Sequence, residues 1–310
     1  MGPGEEVKTR SEPQIEIQER GEIFFFYRPK VGKEAAHGPN DVQRLYLVLR
    51  PESGERAVEE KQDPHSGKEA AKSSSATDSA TEGGHGSQEV NIGKEPLLRL
   101  IVMGRKRLPD PSKKSQPYWG FVDLVTTNID HVKNALGQEE EYDTSTRGHR
   151  HKYPARALGD GIYRILRHNP SKRMHTHLVY KLEFPTEDKQ NEPQESLNVE
   201  RQASFLIQIK NPEQPGSSQF RGLQNKRKAM FPAHLQGQFG HRRFIPADPP
   251  DFLNYEGCEM LLISASDDIE EELGLELNTD TKADPSCSDL LRTFGDATVG
   301  TSALFEGTWA

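Results

Sequence analysis

The feature that most constrains the fold is a series of short apolar runs, rich in β-branched and aromatic residues, that end at proline or glycine. Two of them are EIFFFYRP at residues 22–29 and VQRLYLVLRP at residues 42–51. Such runs are typical of strands bounded by turns, and a proline after a strand ends its ladder of backbone hydrogen bonds. Eight further runs share this character: PQIEIQ, PLLRLIVMGRKRLP, YWGFVDLVTT, GIYRILRH, HTHLVYKLEFP, ASFLIQIKNP, HRRFIPA and CEMLLISA. We therefore predict an all-β fold, a β-sandwich or distorted barrel with one or two short helices and a long disordered insertion.

Only two stretches have helical character. TNIDHVKNALG places Ile129, Val132 and Leu136 on one face, with Asn128 as a cap and Gly137 at the end. SDDIEEELGLEL begins with acidic residues suited to the positive end of a helix dipole, but Gly274 limits it to a couple of turns. Both helices are therefore expected to be short.

Residues 52–93 are rich in Ser, Gly, Ala and charge, and they contain almost no large apolar residues. Such a segment cannot offset its ordering entropy by burial, so we predict a disordered insertion. Strands on both sides of it favour one β-rich domain over residues 11–265, followed by an acidic helix and tail at 266–310. A flexible segment of this length also suits a linker between two domains, and the sequence leaves that alternative open.

The composition predicts a soluble intracellular protein, in the cytoplasm or the nucleus, with no membrane partner. Hydrophobic residues make up 33% of the chain, mean hydropathy is −0.82, and no apolar run is long enough to cross a bilayer. Cys258 and Cys287 are too few for a disulfide framework, so we expect free thiols, with Cys258 buried in its strand.

Charge is strongly segregated along a chain whose net charge is −8. Residues 147–181 hold nine Lys or Arg against one Asp, a balance of +8, whereas residues 267–310 hold eleven acids against two bases, a balance of −9. Guanidinium groups match phosphate and carboxylate geometry, and clustered cations concentrate anions. We therefore predict an anion-binding surface on a basic β-hairpin. Its residues are Arg147, Arg150, Lys152, Arg164, Arg167, Lys172, Arg173, His175 and His177.

His175 and His177 lie one residue apart on the second strand of that hairpin, where a metal site is the competing interpretation. Two imidazoles at i and i+2 could ligate one metal but need a third protein ligand. The surrounding residues depart from the cupin motif at three points: Asn169 replaces its first Gly, Glu183 is displaced, and no Gly follows at the required distance. Alternation predicts that both histidines lie on the solvated face of the strand. We predict no metal and no cofactor.

The function that these features favour is a non-enzymatic binding or adaptor protein for an acidic protein segment or a phosphate-bearing ligand. No serine-hydrolase, Walker or kinase motif occurs, so we predict no catalytic residue, and whether the chain is an enzyme stays open. One alternative is a metal-dependent, cupin-like β-barrel enzyme using His175 and His177. Another is a nucleic-acid binder directed at the backbone, although the basic residues lack aromatic or zinc-finger motifs.

Four stretches together resemble an uncharacterised family of plant proteins of unknown function. They are PQIEIQERGEIFFFYRPKV, DVQRLYLVLRPESGE, DTSTRGHRHKYPARALGDGIYRILRHNPSKRMHTHLVYKLEFP and FPAHLQGQFGHRRFIPADPPDFLNYEGCEMLLISASDDIEEELGLEL. The similarity extends over nearly the whole chain apart from the insertion and the terminal tail. It implies a plant origin, but no reaction and no catalytic residues. Some members carry BTB/POZ-type names, which we do not adopt because that fold is rich in helices.

Overall fold

The structure is a computed structural model of the 310-residue chain. It describes residues 4–52, 56–64, 86–113, 116–144, 148–169, 174–186, 191–214, 227–279, 289–295 and 307–309.

Strands dominate the described residues, as predicted. They are β1 (Glu5–Lys8), β2 (Ile15–Pro29), β3 (Val42–Glu52), β4 (Val58–Gln62), β5 (Ser87–Asn91), β6 (Leu98–Met103), β7 (Tyr118–Thr126), β8 (Glu140–Thr144), β9 (Gly148–Lys152), β10 (Arg156–His168), β11 (His175–Phe184), β12 (Gln202–Lys210), β13 (Phe244–Pro246), β14 (Glu259–Ser266) and β15 (Leu275–Asn278). The α-helices are α1 (Ile129–Gly137), α2 (Glu192–Ser196), α3 (Ala233–Phe239), α4 (Ile269–Leu273) and α5 (Asp289–Phe294), and 3-10 helices span Pro39–Asp41 and Pro250–Asn254.

Eight strands form a closed antiparallel barrel, which confirms the all-β prediction and selects the barrel over the sandwich. Their order is β11-β10-β2-β3-β6-β7-β14-β12, and β12 pairs back to β11 from His177–Leu206 to Lys181–Gln202. β13 extends β12 outside the closed ring, and three two-stranded sheets pair β1 with β15, β4 with β5 and β8 with β9. An eight-stranded barrel is just wide enough for side chains to fill its interior.

Alternation along β2 shows why its apolar run is continuous rather than alternating. Ile23, Phe25 and Tyr27 join the core cluster that contains the inward residues of the other barrel strands. Phe24 and Phe26 belong to a second cluster outside the barrel, together with residues of α1 and α5. Both faces of this strand are therefore covered, so both sets of side chains are apolar.

The loops at the two ends of the barrel differ in character. At one end, which we call the loop end, the loop of residues 30–41 contacts residues 104–113, since Lys106 Nζ donates to the Pro39 carbonyl at 2.7 Å, and the Leu108 N–H donates to the carbonyl of Leu197, just after α2, at 3.0 Å. At the other, which we call the hairpin end, the β4–β5 hairpin meets the 3-10 helix Pro250–Asn254, and the Glu60 N–H donates to Asp251 Oδ1 at 2.8 Å. The β4–β5 hairpin and the described residues between β12 and β14, 211–214 and 227–258, cover the hairpin end.

The β4–β5 hairpin consists of the described ends of residues 52–93, while residues 53–55 and 65–85 of that segment lie outside the described residues. The 266–310 segment contributes α4, β15 and α5, which pack on the outside of the barrel. In the described part of the chain, no helix is long and apolar enough to cross a membrane.

Helix α1 forms where the sequence predicts it, with the Asn128 side chain accepting a hydrogen bond from the Asp130 N–H. Its carboxyl end meets Arg28, a fully buried guanidinium on β2 that donates to the carbonyls of Ala135, Leu136, Gln138 and Tyr153 at 2.6–3.1 Å. Arg28 thus provides the cationic cap that the last turn of α1 itself lacks.

Candidate functional site

The structure divides the predicted anion-binding residues between the two ends of the barrel. Arg150 and Lys152 lie on β9 at the loop end, where the Gly32 N–H donates to the His151 carbonyl at 2.7 Å. Arg167 and His175 lie at the hairpin end, where β10 ends and β11 begins. The 13 residues of β10 separate these groups by about 40 Å at the rise of an extended strand. The predicted residues therefore do not form one surface.

Three of the predicted cations are already paired inside the molecule. Arg164 is fully buried, and its Nε lies 2.7 Å from Glu6 Oε2. Arg167 donates to both oxygens of Asp248 at 2.8 and 3.0 Å and to Glu16 at 2.9 Å. Lys152 lies 3.0 Å from Glu140. These charges support the fold, so each is neutralised before any ligand arrives.

Three other predicted residues, Arg147, Lys172 and Arg173, lie outside the described residues. Their contribution to an anion-binding surface stays a prediction.

The expectation that His177 lies on a solvated face is wrong. Its side chain is 2% exposed because α4 and β15 cover the outer face of β10 and β11. His177 Nδ1 lies 2.9 Å from Ser204 Oγ, and Nε2 lies 3.2 Å from His168 Nδ1. Burial, assisted by the nearby His168 and His175, lowers the pKa of His177 to about 3. His177 is therefore a neutral, hydrogen-bonded core residue, whereas His175 is half-buried.

Neither a metal site nor a serine nucleophile at this histidine region receives geometric support. Within the described ranges, no group of three or more His, Cys, Asp and Glu side chains is arranged to hold a metal ion. Ser204 is fully buried beside His177, so its hydroxyl cannot meet a substrate. Neither a metal-dependent reaction nor nucleophilic catalysis can be derived from these residues.

A buried ionic cluster that the sequence pattern does not predict lies inside the barrel at the hairpin end. Arg99 donates to both oxygens of Glu19 at 2.7 and 2.8 Å, and to Glu59 Oε2 at 2.6 Å. Tyr163 donates to Glu19 at 2.6 Å, and Asn254 bridges Arg99 and Glu59 at 2.6 and 2.8 Å. The signal in the sequence was a single arginine inside the apolar run PLLRLIVM. An arginine side chain lies inside a core only when an ionic or hydrogen-bonding partner compensates its charge.

The pKa values of the two carboxyl groups of this cluster shift in opposite directions from the usual value. Burial and the neighbouring Glu19 raise the pKa of Glu59 well above its usual value. Burial acts in the same direction on Glu19, but the charge and hydrogen bonds of Arg99 outweigh it and lower the pKa of Glu19. One arginine therefore balances one carboxylate, and the second carboxyl group has an increased affinity for its proton.

A different set of cations, at the loop end, has no ion-pair partner within the part of the chain that the structure describes. We call it the loop-end basic surface, and its residues are Lys30, Arg105, Lys106, Arg107, Arg150 and Arg156. Lys106 donates to the Pro39 carbonyl at 2.7 Å, and Arg156 donates to the Glu34 carbonyl at 3.3 Å. Loop 30–41 thus connects the β6–β7 loop to the beginning of β10.

Electrostatics distinguish this surface from the β10–β11 hairpin. Among the residues that the structure describes, none of the six cations has a carboxylate within ion-pair distance. Arg105 and Arg107 are exposed on the β6–β7 loop, and Arg105 lies 4.9 Å from the centre of the Tyr118 ring. Unpaired guanidinium groups on adjacent loops offer bidentate donors to carboxylate or phosphate oxygens.

The fold and this surface define a closed eight-stranded antiparallel β-barrel protein with a basic rim. No model of a known protein family matches the chain, and neither a curated protein nor a solved structure matches it. The resemblance to a plant protein family therefore stays a prediction.

Proposed function

We propose that the chain is a non-enzymatic binding module that engages a partner bearing clustered carboxylates or phosphates through the loop-end basic surface. The observation that carries this proposal is the contrast between the two sets of cations. Arg164, Arg167 and Lys152 are paired with acids of the same chain, whereas the six loop-end cations have no ion pair with any acid that the structure describes. Arg150 is the one member of this surface that the sequence analysis also selected.

The scaffold suits such a role because a filled barrel holds its loops in fixed relative positions. Binding then costs little loop ordering, and surface cations steer an anionic partner during approach. The interaction should be strongly salt-dependent, since each exposed ion pair is screened over a Debye length of about 8 Å at physiological ionic strength.

Charge reversal at the β6–β7 loop tests the proposal, with heparin and a poly-glutamate peptide as probes. An Arg105→Glu, Arg107→Glu variant should bind both probes more than tenfold more weakly at low salt. Placing repulsive charges where attractive ones stood changes each contact by roughly 1–2 kcal/mol, and 1.4 kcal/mol corresponds to a factor of ten. Affinities are measured by fluorescence anisotropy.

The matched control reverses two exposed cations in the segment that covers the hairpin end, Lys228→Glu and Arg242→Glu. It changes the net charge equally, so its affinity for the probes should fall by less than threefold. Equal losses in the two variants would show that only net charge matters, and the proposal would be wrong. Absence of binding by the unmodified chain at low salt would also refute it.

A further inference from the structure

The β4–β5 hairpin closes the hairpin end with polar contacts more than with apolar ones. Glu59 reaches Arg99 and Asn254, and the Glu60 carbonyl accepts from Asn254 at 2.7 Å. Arg56, just before β4, lies 2.6 Å from Asp251. The apolar side chains on the hairpin contribute less, because Val58 is 44% exposed and Val90 belongs to a small separate cluster. Docking of this hairpin therefore depends on the state of its charged groups.

Glu59 is the unusual member of these contacts. Its Oε2 accepts hydrogen bonds from Arg99 and Asn254, whereas its Oε1 is buried and receives no hydrogen bond. A buried carboxylate oxygen without a donor costs several kcal/mol in an ionised group. A protonated Oε1 removes that cost, because it becomes a donor itself, and the Glu19 carboxyl group is its hydrogen-bonding neighbour.

We propose that the β4–β5 hairpin is a proton-dependent closure of the barrel: protonated Glu59 donates to the Glu19 carboxylate and keeps the hairpin docked, and loss of that proton releases the hairpin. The proton passes to solvent, and the barrel end with Arg99 and Glu19 becomes accessible.

The charges around Glu59 support a single shared proton. The titratable and charged groups that face Glu59 are Glu19 from β2, Arg99 from β6, Tyr163 from β10, which donates to Glu19, Asp251 beside Asn254, and Arg56 just before β4. Glu19 binds Arg99 through both carboxylate oxygens, and Asp251 accepts a single hydrogen bond from Arg56. An ionised Glu59 would therefore add a second negative charge against Glu19 and Asp251 without a cation of its own.

The direction of the pH dependence follows from the raised pKa of Glu59 in the docked state. An acid whose folded-state pKa is raised contributes its full stability at low pH and loses it as pH rises through the folded value. One proton then links docking to pH, so the docking equilibrium should fall about tenfold for each pH unit between the ordinary pKa of a glutamate and the raised docked-state value, and should level off above that value.

The experiment combines two measurements on the full chain. Carbon-13 NMR of the glutamate carboxyl groups follows Glu59 from pH 5 upward to the pH at which its signal shifts. Amide hydrogen exchange of β4 and β5, corrected for intrinsic rates, measures hairpin opening over the same range. We expect the Glu59 signal to shift at a pH well above the ordinary range of a glutamate. Hairpin opening should increase about tenfold per pH unit up to that shift and level off above it, while amides of β10 stay protected.

Two variants make the test specific. Glu59→Gln mimics the protonated form, because its amide oxygen can accept from Arg99 while its NH2 donates to Glu19, so opening should lose its pH dependence. Glu60→Gln removes a carboxylate from the same strand that bonds to Tyr255 and not to Arg99, so it should keep the pH dependence. The proposal is overturned if the Glu59 signal shifts within the ordinary range of a glutamate, or if hairpin opening does not increase with pH below that shift. It is equally overturned if Glu59→Gln opens with the same pH dependence as the unmodified chain.

Discussion

Replacement of Arg28 by Met should destabilise the protein strongly although Arg28 touches no carboxylate in the described contacts. Its guanidinium makes five hydrogen bonds, four to carbonyls around the end of α1 and one to the Tyr46 hydroxyl at 3.1 Å. Met fills much of the same volume but leaves the partly buried carbonyls of Ala135, Gln138 and Tyr153 without this donor, while the Leu136 carbonyl keeps the Ala155 N–H at 2.8 Å. Each such group costs about 1–3 kcal/mol, partly relieved by local rearrangement, so the free energy of unfolding should fall by about 3–5 kcal/mol.

The assay is urea unfolding followed by circular dichroism, with Arg44→Met as the matched control. Arg44 lies directly opposite Arg28 on β3 but is exposed, so its loss should cost within about 0.5 kcal/mol. Arg28→Lys should fall between the two, because an ammonium group offers donors without the planar fork. If Arg28→Met costs no more than Arg44→Met, then Arg28 does not anchor α1 and the reasoning fails.

Two further predictions concern the buried His177 and two glycines, Gly161 and Gly237. Because the pKa of His177 is lowered from 6.5 to about 3, the unfolded chain binds a proton that the folded chain refuses, and stability should fall by about 1.4 kcal/mol per pH unit between those values. Urea unfolding midpoints are measured from pH 7 to pH 4. The midpoint should depend less steeply on pH in His177→Gln than in the unmodified chain, whereas His149→Gln should keep the full dependence because His149 is exposed. Equal pH slopes in the two variants would contradict the assignment. Gly161→Ala should cost about 3 kcal/mol, since its new Cβ would lie 2.1 Å from the Lys181 carbonyl oxygen. Gly237→Ala in α3, where the space is open, should instead gain up to about 1 kcal/mol, and equal melting temperatures for the two variants would refute this.

The sequence by itself determined the features that depend on neighbouring residues. Apolar runs ended by proline predicted most barrel strands, and the Asn128 cap and Gly137 predicted α1, because periodicity and capping are local properties. The strands β4, β5, β8 and β9 escaped prediction, since their residues are mostly polar and gain their structure from pairing with one another.

Only the tertiary structure decided which charges are available for binding. Arg164 and Arg167 looked like surface cations in a basic segment, but Arg164 meets Glu6 from 158 residues away and Arg167 meets Asp248 from 81 residues away. Arg99 and Asn254, 155 residues apart, form a buried cluster for the same reason. Whether a charged side chain is neutralised or available for binding depends on which residues lie beside it in the folded chain. Barrel closure brings together side chains that are far apart in sequence, so no local pattern predicts these pairs.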